Sequence, residues 1–318
     1  MTIPLPGRAL DTVMDRTLVP GYSRIGIAVR RRLPGWPADP EPGCLAGKHV
    51  LVTGASSGLG IGCVQSLARL GASVHMIVRD EVKGAAVRER VVAEVPGADL
   101  RLARCDLADL DDVRRFAAQV EVSRIHAVIH NAGVMPPERT ESPQGHELSM
   151  AVHVVAPVLM TELLRDRLSS GRVVMVSSGG MYAQRIPSDD PEFRRGDYSP
   201  AASYARSKRM QVELAPLLAD RWSLDAITLG VMHPGWADTP GVRSSLPNFR
   251  TLTRSILRDD AEGADTSAWL AAAEPTPPTG RFWHDRRVRP THLSPTTRSR
   301  ADEVARAWAW LKGAVDLS

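Results

Sequence analysis

The chain has 318 residues, 43% of them hydrophobic, enough for one large domain with additions. Three cysteines (Cys44, Cys63, Cys105) without CxxC spacing argue against a disulfide framework and fit a reducing, cytoplasmic compartment; no apolar run is long enough to span a bilayer, and Pro4, Pro6, Asp11 and Asp15 interrupt any signal-peptide core. Net charge is +4, with basic excess at both ends (Arg30-Arg31-Arg32, then Arg281, Arg286, Arg287, Arg289, Arg298 and Arg300); no aromatic-basic platform accompanies it, so a solvated basic surface is expected and a nucleic-acid partner is not.

Residues 1–45 show no clear period. Within them, residues 21–30 read as a short amphipathic helix ending in the basic cluster. Pro34, Pro37, Pro40 and Pro42 then make an extended connector. Two readings of this arm stay open: packing on the main domain, and weak docking on a membrane surface.

An α/β rhythm starts near Gly47. Val50-Leu51-Val52 predicts a buried parallel strand, Thr53-Gly54-Ala55-Ser56-Ser57-Gly58-Leu59-Gly60 a glycine-rich turn, and residues 63–70 a helix. Glycine suits each point of that turn. Gly54 tolerates the sharp exit from the strand, Gly58 lets a pyrophosphate approach the backbone, and Gly60 lets the helix lie close. The helix N-terminus offers free N–H groups to phosphates.

Residues 72–78 predict the second strand. Arg79 follows it, with Lys83 four residues on. A carboxylate at the strand end would accept ribose hydroxyls and repel a 2′-phosphate. Arg79 can instead fork onto that phosphate, which favours NADP(H) over NAD(H) without excluding the latter. The competing reading pairs Arg79 with Asp80 on the surface.

Residues 100–107 predict a third strand, and Asp109, Asp111 and Asp112 open the next helix. Residues 127–130 predict the fourth strand, with Asn131-Ala132-Gly133 turning off it. A long helix is expected over 148–168, a fifth strand over 172–176 delivering Ser177 and Ser178, and a helix over 203–222 carrying Tyr204 and Lys208 one turn apart. A sixth strand over 226–232 is closed by His233-Pro234-Gly235. An insertion follows over 236–260, where Leu246, Phe249, Leu252, Ile256 and Leu257 suggest an apolar pocket or lid. Residues 280–283 predict a last strand and 301–312 a docked terminal helix. His284, Asp285 and His292 fit neither a zinc-ligand helix nor a calcium loop, so no metal site is expected.

These motifs, in this order, resemble the short-chain dehydrogenase/reductase family over residues 45–260: the Thr53–Gly60 turn, Asn131-Ala132-Gly133, Ser178, Tyr204-Ala205-Arg206-Ser207-Lys208, and Pro234-Gly235 with Thr239. Val176-Ser177-Ser178-Gly179-Gly180-Met181, residues 233–241 and residues 280–286 are similar to its dehydrogenase/reductase member 12 branch, whose neighbours include retinol-dehydrogenase-like reductases. The resemblance implies a Rossmann-type doubly wound parallel sheet in a single domain (46–290), flanked by an N-terminal arm (1–45) and a C-terminal helical extension (291–318). It implies hydride transfer between NADP(H) and a carbonyl/alcohol pair, and the apolar residues of the insertion point to a lipophilic aldehyde, ketone or alcohol as the small-molecule partner. The rival reading is a cofactor-binding sensor or scaffold with little catalysis.

By the family pattern Tyr204 is the proton donor and acceptor. Lys208 and the positive nicotinamide lower its pKa from about 10, Lys208 also holds the ribose, and Ser178, the second serine of the pair, orients the substrate oxygen. The cofactor-binding set carried over is Gly54, Ser56, Ser57, Gly58, Leu59, Gly60, Arg79, Asp106, Leu107, Asn131, Ala132, Gly133, Tyr204, Lys208, Pro234, Gly235 and Thr239. One departure stands out. His153 occupies the register where many members place an Asn that joins a water-mediated proton relay; it is read either as an altered relay or as a core histidine satisfied by backbone. The family's long helices, here 147–168 and 203–222, commonly build dimers or tetramers.

Overall fold

The computed structural model describes residues 5–238, 251 and 253–317. Eight strands form one sheet in the order β3-β2-β1-β4-β5-β6-β7-β8. They are β1 (His49–Thr53), β2 (Ser73–Val78), β3 (Asp99–Arg104), β4 (Ile125–His130), β5 (Arg172–Val176), β6 (Thr228–Met232), β7 (Arg281–His284) and β8 (Arg287–Val288). The first seven run parallel, and β8 returns antiparallel on β7. Strand order reverses between β1 and β4. That switch point is where a doubly wound sheet leaves a crevice beyond its carboxyl ends. The central strands are apolar on both faces because helices cover both, and Val50, Leu51, Val52, Val128, Ile129, Val173 and Val174 are at most 1% exposed.

The helices are α1 (Leu5–Arg16), α2 (Leu18–Tyr22), α3 (Arg24–Arg32), α4 (Leu59–Arg69), α5 (Glu81–Glu94), α6 (Leu110–Gln119), α7 (Leu148–Met150), α8 (Ala156–Leu163), α9 (Arg165–Leu168), α10 (Pro200–Arg221), α11 (Asp260–Ala272) and α12 (Ala301–Ala314). Each of the two cores lies on one face of the sheet: one gathers around α6, α8 and α10, the other around α4 and α11. Helix α12 lies across α10 and buries Ala307 and Leu311.

Several expectations need correction. The helix expected over 148–168 is broken. Pro157 has no N–H, so it cannot bond the carbonyl of His153, and residues Ala151–Val155 widen into a π turn closed by Ala156 N–H donating to Ala151 O. Strand β3 stops at Arg104 rather than 107, because Cys105 N–H bonds Val78 O and the chain then turns. Strand β6 starts at Thr228, since Ala226 is left-handed (φ 53°). Helix α4 begins at Leu59, before the expected residue 63.

The arm holds three helices: α3 lies where a short amphipathic helix is expected over residues 21–30, while α1 and α2 form where no period was seen. Arg30, expected in an exposed basic cluster, is fully buried. Gly26, Ile27 and Arg30 form the inward face of α3. The arm therefore packs on the domain through this face, while Leu10, Val13, Val19 and Ile25 stay exposed on it. Arg286 and Arg289 are buried and Arg287 nearly so, each paired with an aspartate, against the expected solvated surface. On α7 to α10 the large apolar side chains are already covered within the chain, with Leu163 exposed. Among the described residues, no helix is long and apolar enough to cross a membrane, and no cluster of three or more His, Cys, Asp or Glu side chains is placed to hold a metal ion.

Candidate active site

A cleft of about 700 Å³ opens over the carboxyl ends of β1, β2, β4, β5 and β6. Its floor begins at the glycine turn. Gly54 has φ +66°, and a Cβ there would lie 2.8 Å from Ala132 Cα. Gly58, the residue before α4, takes φ 48°, ψ −130°, a region open to glycine. A Cβ on Gly60 would lie 2.1 Å from Gly54 O, so this glycine packs the helix on the turn and does not line the cleft. The N–H groups of Ser56, Ser57 and Gly58 bond no partner among the described residues. They sit where α4 begins, and together make an anion cradle.

Across the switch point, Thr53 Oγ1 accepts the N–H groups of Asn131 (3.0 Å) and Ala132 (3.1 Å), while Asn131 Nδ2 donates to Thr53 O (3.0 Å). The Asn131 side chain is thus committed to joining the end of β4 to the end of β1. Asn131, Ala132 and Gly133 all line the cleft.

At the β2 end, Asp80 does not pair with Arg79. Its carboxylate caps α5 by accepting Lys83 N–H at 3.0 Å. Arg79 and Lys83 both border the cleft, exposed and without an ion-pair partner among the described residues. Asp106 and Leu107 form the neighbouring wall. Asp106 Oδ1 accepts Ala108 N–H at 3.0 Å, and Asp106 N–H donates to the buried Asp112 at 2.8 Å.

At the β5 end the two serines separate. Ser177 is buried, and its Oγ donates to Lys208 O at 2.9 Å. Ser178 faces the cleft, where its Oγ accepts Gly180 N–H at 3.2 Å and meets the Tyr204 phenol. Helix α10 starts early enough to carry Tyr204 because Pro200 stands at its first position and Ser199 caps it, accepting Ala202 N–H. Lys208 Nζ donates to Val176 O at 2.7 Å and lies 5.5 Å from the Tyr204 ring centroid. Burial pushes the Tyr204 phenol up, opposed by its Ser178 hydrogen bond, and pushes the Lys208 ammonium down to about 7.

His153 does not line the cleft; it lies behind it, fully buried. Its Nε2 accepts Val134 N–H at 2.9 Å, so Nδ1 carries the proton and donates to Ser207 Oγ at 2.7 Å. Ser207 in turn donates to Tyr204 O at 2.8 Å. Burial, with the Lys208 charge adding to it, holds the imidazole well below its ordinary pKa and therefore neutral. The His153 carbonyl, released by Pro157, accepts Gln211 Nε2 at 2.7 Å. This histidine thereby links the turn after β4 to the helix that carries Tyr204.

Ser178, Tyr204, Lys208, Pro234 and Gly235 converge with the glycine turn, Arg79, Asp106 and Leu107 in one cleft; Thr239, Leu246, Phe249 and Leu252 lie outside the described residues. The sequence reading missed the apolar lining of Val134, Met135, Leu148, Val152 and Trp236. A free amide cradle, two cations without ion-pair partners among the described residues and a cleft of about 700 Å³ fit a dinucleotide that carries an extra phosphate.

A model of the short chain dehydrogenase family matches residues 48–189. The human dehydrogenase/reductase SDR family member 12 is 35% identical over 263 residues, covering 80% of this chain and 82% of that protein. Human retinol dehydrogenase 12 is 32% identical over 263 residues, covering 80% and 82%. A short chain dehydrogenase structure from Escherichia coli CFT073, solved with NADPH, is 25% identical at a TM-score of 0.63, covering 78% of this chain and 100% of the other.

Proposed function

The chain belongs to the short-chain dehydrogenase/reductase family, and from that premise we propose that it is an NADP(H)-dependent oxidoreductase interconverting a carbonyl and an alcohol, with Tyr204 moving the proton. The observation that carries this reading is the meeting of Ser178, Tyr204 and Lys208 in the cleft that begins at the glycine turn. The amides of Ser56 to Leu59 would hold the pyrophosphate, and Arg79 with Lys83 the 2′-phosphate. When bound, the cofactor supplies the hydride. The E. coli structure binds NADPH, and the human relative acts, by its name, on retinol. A lipophilic aldehyde, ketone or alcohol suits Val134, Met135, Leu148, Val152 and Trp236.

The protein's own part is to place oxygen and proton. Ser178 donates to the substrate oxygen and orients it. The Tyr204 phenol, kept protonated by burial, is the form that donates to the oxygen of a carbonyl undergoing reduction. As the phenolate forms, Lys208 steadies it. The Ser178 hydrogen bond to an anion adds about 1.5–3 kcal/mol.

Arg79 sets the choice of cofactor in this reading. Arg79→Ala is expected to weaken NADPH binding about tenfold to a hundredfold and to leave NADH binding unchanged, measured by titrating each cofactor into wild type and variant. Equal loss for both cofactors would show that Arg79 does not face the 2′-phosphate.

A further inference from the structure

The wall of the cleft at the β6 end, Pro234 to Ala237, is held from behind by segments remote in sequence. Trp236 N–H donates to Tyr22 O in the N-terminal arm at 2.7 Å. Gly235 has φ +77°, and a Cβ there would lie 2.5 Å from Tyr22 O and 2.6 Å from the Arg258 guanidinium carbon. Arg258 N–H donates to Trp236 O (2.7 Å), and Asp238 N–H donates back to Arg258 O (3.1 Å). The Arg258 side chain, about 1% exposed, donates to Pro234 O at 3.1 Å and to Ser23 O at 3.3 Å.

Asp285 fixes that guanidinium. It accepts both Arg258 nitrogens, Nη1 at 2.6 Å and Nη2 at 2.9 Å, and its second oxygen also accepts Arg30 Nη1 at 2.6 Å. Arg30 continues into the arm through Asp11 at 2.8 Å and Gly21 O at 2.7 Å. Asp11 is also gripped by Arg287 and Arg289. Asp285 and Arg286 form the β7–β8 turn with φ of 50° and 56°, a conformation that favours glycine. The strain persists because the side chains are engaged: Asp285 in this network, Arg286 with Asp265 and Asp39. Burial pushes the Asp285 carboxyl up, yet the Arg258 and Arg30 guanidinium groups outweigh it and hold it well below the usual carboxylate range.

We infer that Arg258, clamped by Asp285 and Arg30, is a positioning residue that sets the Pro234–Ala237 wall, so that the N-terminal arm is a working part of the cofactor site. The inference rests on the cofactor reading above and adds a component that the glycine turn and Tyr204 motif do not contain. Sheet order puts this wall at the β6 end, with β1, β4 and β5 between it and Arg79 at the β2 end. A displaced wall should therefore weaken a whole dinucleotide and spare its adenine half.

Arg258→Lys keeps the charge but loses the fork onto Asp285 and the reach to Pro234 O. It is expected to raise the NADPH dissociation constant about tenfold while the dissociation constant of 2′,5′-ADP stays within twofold of wild type. Arg30→Lys, which touches no residue of the cleft, is expected to shift the two probes in the same pattern, and it decides the matter if Arg258→Lys does not fold. An unchanged NADPH constant in folded variants, or equal weakening of both probes, would overturn the inference. Wild-type protein that binds neither probe would instead overturn the cofactor reading.

Discussion

Tyr204→Phe is expected to lower turnover by about a thousandfold while NADPH binding stays within about twofold. The ring remains, with its edge-to-face contact on His153 at 5.2 Å and its place beside Lys208. Only the oxygen and its proton are lost. Ser178 Oγ has no acidic partner among the described residues, both His153 nitrogens are bonded elsewhere, and Lys208 Nζ is held on Val176 O. Steady-state rates together with equilibrium NADPH titration separate the two effects. Undiminished turnover in a folded variant would remove Tyr204 from the proton step.

The second large effect is on stability. His130, His153 and His233 are 2% exposed or less, and burial holds each neutral. His153 Nε2 and His233 Nδ1 accept backbone N–H groups, from Val134 and Gly235. His130 Nε2 meets Thr161 Oγ1, whose own proton is donated to Pro157 O, and its Nδ1 has no partner among the described residues. Burial lowers all three pKa values, that of His130 to about 3 and the other two well below their ordinary value. The unfolded chain takes up protons near pH 6.5 that the folded chain refuses, so stability falls as pH falls below that point. At pH 5 each histidine costs about 2 kcal/mol, or about 6 kcal/mol for three, against a total of roughly 5–15 kcal/mol. The melting temperature should fall by on the order of 10 °C between pH 8 and pH 5. The depressed carboxyls of Asp285 and Asp11 act in the same direction, but below about pH 4. A melting temperature that is flat from pH 8 to pH 5 would mean these histidines are not buried in neutral form.

The doubly wound sheet was legible because its strands carry their own signal. Val50-Leu51-Val52 and Val173-Val174 are apolar runs buried on both faces, and glycines mark the turn that follows β1. Motif order assigns Ser178, Tyr204 and Lys208 to one site, and all three line the same cleft. The choice of Ser178 over Ser177 has a visible geometric counterpart, since Ser177 turns inward to Lys208 O.

What stayed hidden has physical causes. The arm packs through charge: Arg30, Asp11 and Asp15 are buried by mutual pairing, and periodicity reading assigns such residues to solvent. The π turn at Ala151–Val155 follows from Pro157, a signal present in the sequence but outweighed by the apolar run around it. The β7–β8 hairpin turns on Asp285-Arg286, not the Asn-Gly or Asp-Gly pair that normally announces such a turn. His153 was read as a relay or a core residue. Its bonds to Val134, Ser207 and, through its carbonyl, Gln211 make it a brace between the cleft and the helix of Tyr204.

NADPH consumption followed at 340 nm across a panel of lipophilic ketones and aldehydes tests the central claim most directly. Wild-type protein is expected to oxidise NADPH with at least one member, and Lys208→Ala to abolish that turnover. Tight NADPH binding with no turnover across the panel, or turnover that survives Lys208→Ala, would contradict an enzyme built on Tyr204 and Lys208 and leave a cofactor-binding protein of another kind.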